Sequence, residues 1–379
     1  MFDNKILMVF FRAFLALYNV FVLWIFQYFI ESQLVGSVLF TLAIINIFSI
    51  LSRLGADFYW VKSLDKKLVV SNKEFAYNAA FSAFFSVIIY LLLNENEISS
   101  LISIGYIVVT ANVIQLVGRF LQKIECHILS LSVFIFSPYG FTLIILTVLP
   151  DLSVLESIMI SNSFILILLF PFFFNKIEFN VVDERFSERL NFLPMIMFGA
   201  LNQNIIALYG GAFNHKESVG ALVLLQRSCG LVAWPLTFFM QKDLVKIKSY
   251  LIGKKEFLNG LKHYVIDNLL ILASLSIMSF ILGLFSLYNS ELWRVDSVFA
   301  LCMILIASII NGCFGFVQYQ LASSNLGWII IGVFLFASLA PSLLFIGIDS
   351  FYISGSLSYL FFHLFVHSIN IFIMYKRIR

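Results

Sequence analysis

Apolar stretches broken at intervals by short charged clusters run the length of the chain. Twelve of them approach the roughly 20 mainly apolar residues that a helix needs to cross a bilayer. They are 6–30, 35–56, 75–94, 98–121, 128–149, 153–175, 190–212, 218–240, 263–287, 297–320, 328–347 and 352–374. The pattern predicts an all-α polytopic membrane protein. The first stretch follows MFDNK directly, has no small-residue cleavage site, and is far longer than the apolar core of a signal peptide, so an uncleaved first span is expected.

Composition agrees with the pattern. Of 379 residues, 61% are hydrophobic and 12% charged, with a mean hydropathy of +0.98. A soluble domain carries about 25% charged residues. Lysine and arginine positions then orient the spans. With a cytoplasmic N-terminus, 19 of the 24 fall in inner segments, and only Lys216 and Arg294 fall in outer ones. This asymmetry predicts an even number of spans with both termini cytoplasmic. The longer inner connections (57–74, 176–189 and 241–262) are basic, which suits topology and contact with anionic lipid. No stretch supports nucleic-acid binding. Cys126, Cys229, Cys302 and Cys313 form no CxxC pair and mark neither a disulfide framework nor a metal knuckle.

Twelve spans invite a search for two sixes. LVGSVLFTLAIINIFSILSRLGADFYWVK and SVGALVLLQRSCGLVAWPLTFFMQKDLVK both open on Val-Gly and close on Val-Lys. Val35-Gly36 and Val219-Gly220 are 184 residues apart, as are Val61-Lys62 and Val245-Lys246. The expected division is an N-terminal bundle over 1–175, a cytoplasmic linker over 176–189 and a C-terminal bundle over 190–379.

The Val-Gly opening and the ILSRLGADFYWVK exit resemble the start of bacterial polysaccharide-exporter flippases. LNQNIIALYGGAFNHKESVGALVLLQR is similar to that family's seventh and eighth spans. The resemblance is to the O-antigen flippase branch of the multidrug/oligosaccharidyl-lipid/polysaccharide exporter superfamily. It implies a V-shaped alternating-access transporter of two six-helix bundles in the bacterial inner membrane. The implied cargo is an undecaprenyl-pyrophosphate-linked oligosaccharide, such as an O-antigen repeat unit. Membrane lipid, and a polymerase and chain-length regulator of the same pathway, are the implied partners. No cofactor is called for, and coupling to H+ or Na+ is left open. In one departure, FQYFIESQLVG stands where the family often ends its first span with arginine, so no cation is assigned there.

Three arginines fall inside spans. Arg227 lies nine residues from the start and thirteen from the end of 218–240, so at least roughly 13 Å from either at 1.5 Å per residue. An arginine at that depth costs about 2.5–3.5 kcal/mol on insertion scales, so it should face the bundle interior or a wet cavity. Its planar fork of donors suits phosphate oxygens. Arg12 stands two turns into the first span, where anchoring at the surface and lining the cavity are equal readings. Arg53 is placed for a local pair with Asp57 at i+4, with ligand contact the lesser alternative.

Mid-span amides (Gln226, Asn202, Gln203, Asn204, Asn112 and Asn311 among them) suit interhelical hydrogen bonds and, in number, a polar path for sugar hydroxyls. Asn202, Gln203 and Asn204 are consecutive, so they cannot all face one cavity. Pro235 should kink the eighth span just past Arg227, a candidate gating element. His363 and His367 share a helix face, but with no carboxylate or cysteine companions nearby packing outweighs metal binding. Glu156 and Asp267 stand at span ends as interfacial charges or, less readily, ion carriers.

A cation-coupled drug exporter of the same fold is the alternative cargo class, disfavoured because the first span lacks an acidic residue. A membrane polysaccharide polymerase or acyltransferase is the enzymatic alternative. The short outer loops and the absence of a nucleophile–base constellation argue against it.

Overall fold

The computed structural model describes residues 4–53, 68–70, 72–94, 97–123, 138–179, 193–232, 254–289, 295–315, 317, 332–333, 336–339, 348 and 350–377. The helices among the described residues include α1 (Asn4–Phe29), α2 (Ser32–Ser52), α3 (Asn72–Leu92), α4 (Ile98–Lys123), α5 (Pro138–Val148) and α6 (Val154–Lys176), then α7 (Leu193–Ala212), α8 (Lys216–Gly230), α9 (Lys254–Asp267), α10 (Leu269–Asn289), α11 (Val295–Phe314) and α12 (Phe351–Arg377). Five segments among the described residues are long and apolar enough to cross a membrane: Ser32–Ser52, Ile98–Gln115, Leu269–Tyr288, Val295–Phe314 and Phe351–Lys376. The protein is a helical membrane protein. Two three-residue strands depart from the helical pattern. β1 (Leu68–Val70) pairs in parallel with β2 (Ile177–Phe179), matching Leu68 to Ile177 and Val70 to Phe179.

The contacts group the chain into two compact units, Val38–Asn204 and Met1–Ser37 with Ile205–Arg379. This grouping differs from the expected halves, because the first helix joins the later part of the chain. Its cause is direct: α1 packs on α8.

In the unit Val38–Asn204, α4 packs on α3 and α6, and α6 on α5. Its interior is stitched by amides and hydroxyls, which hydrocarbon cannot satisfy. The Asn112 side-chain amide on α4 donates to Ser52 Oγ on α2 at 2.8 Å and to Ser82 Oγ on α3 at 2.9 Å. The Asn162 amide on α6 donates to Thr110 Oγ1 on α4 at 2.8 Å, and Tyr106 pairs with Ser163 at 2.7 Å. α6 starts with a capping box. Ser153 N and Oγ both donate to Glu156 Oε2 at 2.8 Å, and Glu156 N donates back to Ser153 Oγ at 3.2 Å. Glu156 thus closes a helix end, which accounts for its charge without an ion.

In the other unit, α11 and α12 pack most extensively, and α8 lies against α1, α10, α11 and α12. The turn from α7 to α8 is a Schellman motif. Asn214 takes a left-handed φ of 59°, with His215 N bonded to Gly210 O at 2.8 Å and Asn214 N to Gly211 O at 3.3 Å. The ring of His215 then stacks on Phe351 at 5.0 Å, fixing the start of α12 beside this turn.

The ninth span is where the pattern was misread. Helix begins at Lys254, inside the segment expected to be a basic loop, breaks at Asn268, and resumes as α10. Phe257, Leu261 and Tyr264 recur at i, i+4 and i+7 and are buried, so one apolar face holds α9 in place although its charge is high. α10 shows the opposite distribution, with Leu270, Ile277, Ile281 and Phe285 exposed along its length. Such a stripe belongs against lipid tails.

Replacing Asn112 with alanine removes two interhelical hydrogen bonds and should lower stability by about 1 kcal/mol, at about 0.6 kcal/mol for each in a membrane. Glu156→Ala should also lower stability, through loss of the capping box. Reversible denaturation in mixed micelles measures both, and an Asn112→Ala variant as stable as the parent would refute the stitching role.

Candidate functional site

Val35-Gly36 and Val219-Gly220, the two Val-Gly pairs, lie beside each other. Gly36, near the start of α2, approaches so closely that an added Cβ would collide with the Lys216 carbonyl oxygen. A Cβ on Gly220 would lie 2.9 Å from Val35 Cγ1 and 3.3 Å from Gln27 Nε2. Gln27, near the end of α1, donates its side-chain amide to Gly220 O at 2.6 Å. Gly210 is pressed in the same way against Val219, with Phe351 beside it. Missing side chains at Gly36, Gly210 and Gly220 therefore let the ends of α1 and α7 and the starts of α2, α8 and α12 converge. Backbones approach this closely only where small residues allow it.

One helix length further along α8 stands the polar cluster. α8 is buried over Val219–Gln226, and Arg227 falls in its last turn. The helix ends at Gly230, with Leu231 N reaching back to Ser228 O at 3.4 Å. Arg227 is thus placed near helix-terminal carbonyls, where the macrodipole favours a cation. That refines the expectation of a mid-helix charge: termination at Gly230 precedes Pro235, which lies outside the described residues together with Trp234 and the rest of span eight.

Gln226, buried to 4% exposure, hydrogen-bonds through its side chain to the hydroxyl of Tyr359 on α12. Ser308 on α11 stands near the same hydroxyl, and Arg227 lies within electrostatic reach of it. The half-buried Arg227, the buried Gln226 and Tyr359, and Ser308 thus converge from three helices. One turn on from Tyr359 is His363, and another turn on is His367; both are essentially unexposed. The arrangement offers a guanidinium fork, an amide and hydroxyls in a dry helix seam. It can neutralise an anion and hydrogen-bond its oxygens.

Gln226 and Arg227 are the two expected site residues that the structure brings into this cluster. Arg12 lies on α1, and its side chain is outside the described part. Arg53, Asn202 and Gln203 belong to the other compact unit. Arg53 is buried at 6% exposure just past the end of α2, next to Ser52, which receives the Asn112 amide; Asp57, its expected partner, lies outside the described residues. Of the consecutive amides on α7, Gln203 is exposed, Asn202 half-buried and Asn204 buried. Asn204 donates to Ala200 O at 2.8 Å, one turn back in its own helix. Tyr359 and Ser308 were missed from the sequence, because tyrosine and serine inside an apolar run look like packing residues.

Among the described residues no cluster of three or more His, Cys, Asp or Glu could hold a metal ion. Compared with known proteins, the chain matches no family model, no curated protein and no solved structure.

The glycine contact makes a sharp prediction. Gly36→Ala must push α2 from the Lys216 backbone and should cost about 1–3 kcal/mol, the scale of overpacking. Gly105→Ala, where a Cβ meets nothing within 4 Å, should be neutral or stabilising by up to about 1 kcal/mol through helix propensity. Equal behaviour of the two variants in thermal unfolding would remove the close approach from the account.

Proposed function

We propose that the protein is a flippase that carries an undecaprenyl-pyrophosphate-linked oligosaccharide across the bacterial inner membrane by alternating access. The reading takes the chain as twelve spans in two six-helix bundles with both termini cytoplasmic. Its single strongest support is Arg227 beside Gln226 and Tyr359. A charge placed in an otherwise apolar helix is costly unless it serves a pathway, and a guanidinium with amide and hydroxyl neighbours is suited to pyrophosphate oxygens.

The polysaccharide-exporter resemblance and the positive-inside alternation support the same reading. So does the inside-out distribution of the described helices, apolar toward lipid and amide-rich within. The meeting of Val35-Gly36 with Val219-Gly220 suits two repeat segments that pack and separate as a transporter changes its access. No chemistry is assigned to the protein, so a transporter is proposed and not an enzyme. A drug exporter of the same fold remains the second reading, and it predicts resistance to toxic cations and indifference to glycan assembly.

In a host whose surface glycan depends on this gene, Arg227→Ala should abolish display while the protein accumulates in the membrane at normal level. Arg227→Lys should restore it only in part, because a point charge lacks the bidentate fork. Undiminished display in Arg227→Ala would overturn the cargo assignment.

A further inference from the structure

The seam beyond Tyr359 contains two ionisable rings that cargo binding does not use. His363 and His367 are 0% and 2% exposed. Their rings stack at 5.7 Å between centroids and 17° between planes. Tyr359 packs edge-on to His363 at 4.6 Å, and Phe314 of α11 closes on His367 at 6.5 Å. One turn further lies Asn370, unexposed, with neither amide atom hydrogen-bonded among the described residues. Tyr359, His363, His367 and Asn370 thus form one buried polar stripe on the face of α12. It begins within reach of Arg227.

We propose that His363 and His367 form a proton-binding site, taking up one proton between them, that couples opening of the α11–α12 seam to the proton gradient. This rests on the reading of the chain as an alternating-access transporter, and does not depend on which cargo it carries. The proton adds to the unprotonated ring nitrogen of one imidazole and leaves the other ring neutral. At 5.7 Å a second proton would bind roughly 100-fold more weakly, taking an effective dielectric constant of about 20. The other ionisable groups on the surrounding elements are Lys216, Glu217, Arg227 and Cys229 of α8, Asp296, Cys302 and Cys313 of α11, and Tyr352, Tyr359, Tyr375, Lys376 and Arg377 of α12 itself.

The sign of the coupling follows from solvation. A dry, apolar seam disfavours an imidazolium, whereas a hydrated histidine accepts a proton near about pH 6.5. Protonation therefore favours the conformation in which water reaches the pair, and lowering the pH should open the seam. If only the opened seam binds the proton, the ratio of open to closed rises roughly tenfold between about pH 7.5 and about pH 5.5.

Hydrogen exchange of the full-length chain in phosphatidylethanolamine–phosphatidylglycerol nanodiscs tests this without cargo. Corrected for intrinsic chemical rates, exchange across 359–370 should accelerate about tenfold over that pH step. In the double variant His363→Gln/His367→Gln, which keeps hydrogen-bonding side chains but cannot titrate, exchange should not respond to pH. A flat profile in the parent chain, or the same acceleration in the double variant, overturns the proposal. Should the double variant not fold, the single variants His363→Gln and His367→Gln serve. Each should keep a response with a displaced midpoint, and an unmoved midpoint in both would also overturn it. Failure of the cargo reading registers separately, in glycan display by Arg227→Ala, and leaves these exchange profiles unchanged.

Discussion

Hydrocarbon offers no hydrogen-bond partner, and that fact governs where much of the buried polarity of the described helices stands. The outer stripe of α10 is leucine, isoleucine and phenylalanine, while several buried amides find hydroxyls on neighbouring helices. Asn112 reaches Ser52 and Ser82, Asn162 reaches Thr110, and Gln226 reaches Tyr359. Individually such bonds are worth about 0.6 kcal/mol and at most about 1.7. Together they fix which helix faces which, because a slipped helix would leave several amides without partners at once. Arg227 is the severest case of the same constraint. Its guanidinium is tolerable because α8 ends three residues later and presents carbonyls, and because Gln226 and Tyr359 make the neighbourhood polar.

Close approach is the complementary device. Lipid tails are as apolar as leucine, so helices gain nothing from merely hiding apolar surface from them, and contact must come from fit. Gly36 and Gly220 supply it by having no side chain where α1, α2 and α8 converge. The bond from Gln27 to the Gly220 carbonyl then fixes the approach with a single polar contact. A junction built from backbone fit and one hydrogen bond holds firmly when closed, yet has little to break on parting. That property suits the transport reading.

Much of the helical layout was legible in the sequence, since twenty-residue apolar runs have few other meanings. α1, α2, α3, α4, α6, α7 and α12 begin and end within about four residues of the expected spans. α9 was not legible as a separate helix, because its apolar face is only three residues wide and its lysines resemble a loop. The break in α8 after Gly230 was hidden by the continuing hydrophobicity of Leu231 and Val232. Hydropathy measures composition and is blind to a backbone that stops being helical. At the site, Arg227 and Gln226 stood out by charge and polarity against leucines. Tyr359 did not, because its role depends on α12 lying against α8, a contact that no local pattern encodes. The two Val-Gly pairs were visible only as a spacing of 184 residues; that Val35 lies against Gly220 became clear only in three dimensions.

The central claim is that Arg227 contacts the phosphate of a lipid-linked cargo. Native mass spectrometry of the full-length protein released from nanodiscs tests it most directly, with undecaprenyl-pyrophosphate as the added lipid. The parent chain should retain it in preference to undecaprenyl monophosphate, and Arg227→Ala should lose that preference while remaining folded. Equal retention of the pyrophosphate lipid by the parent and by Arg227→Ala would contradict the account.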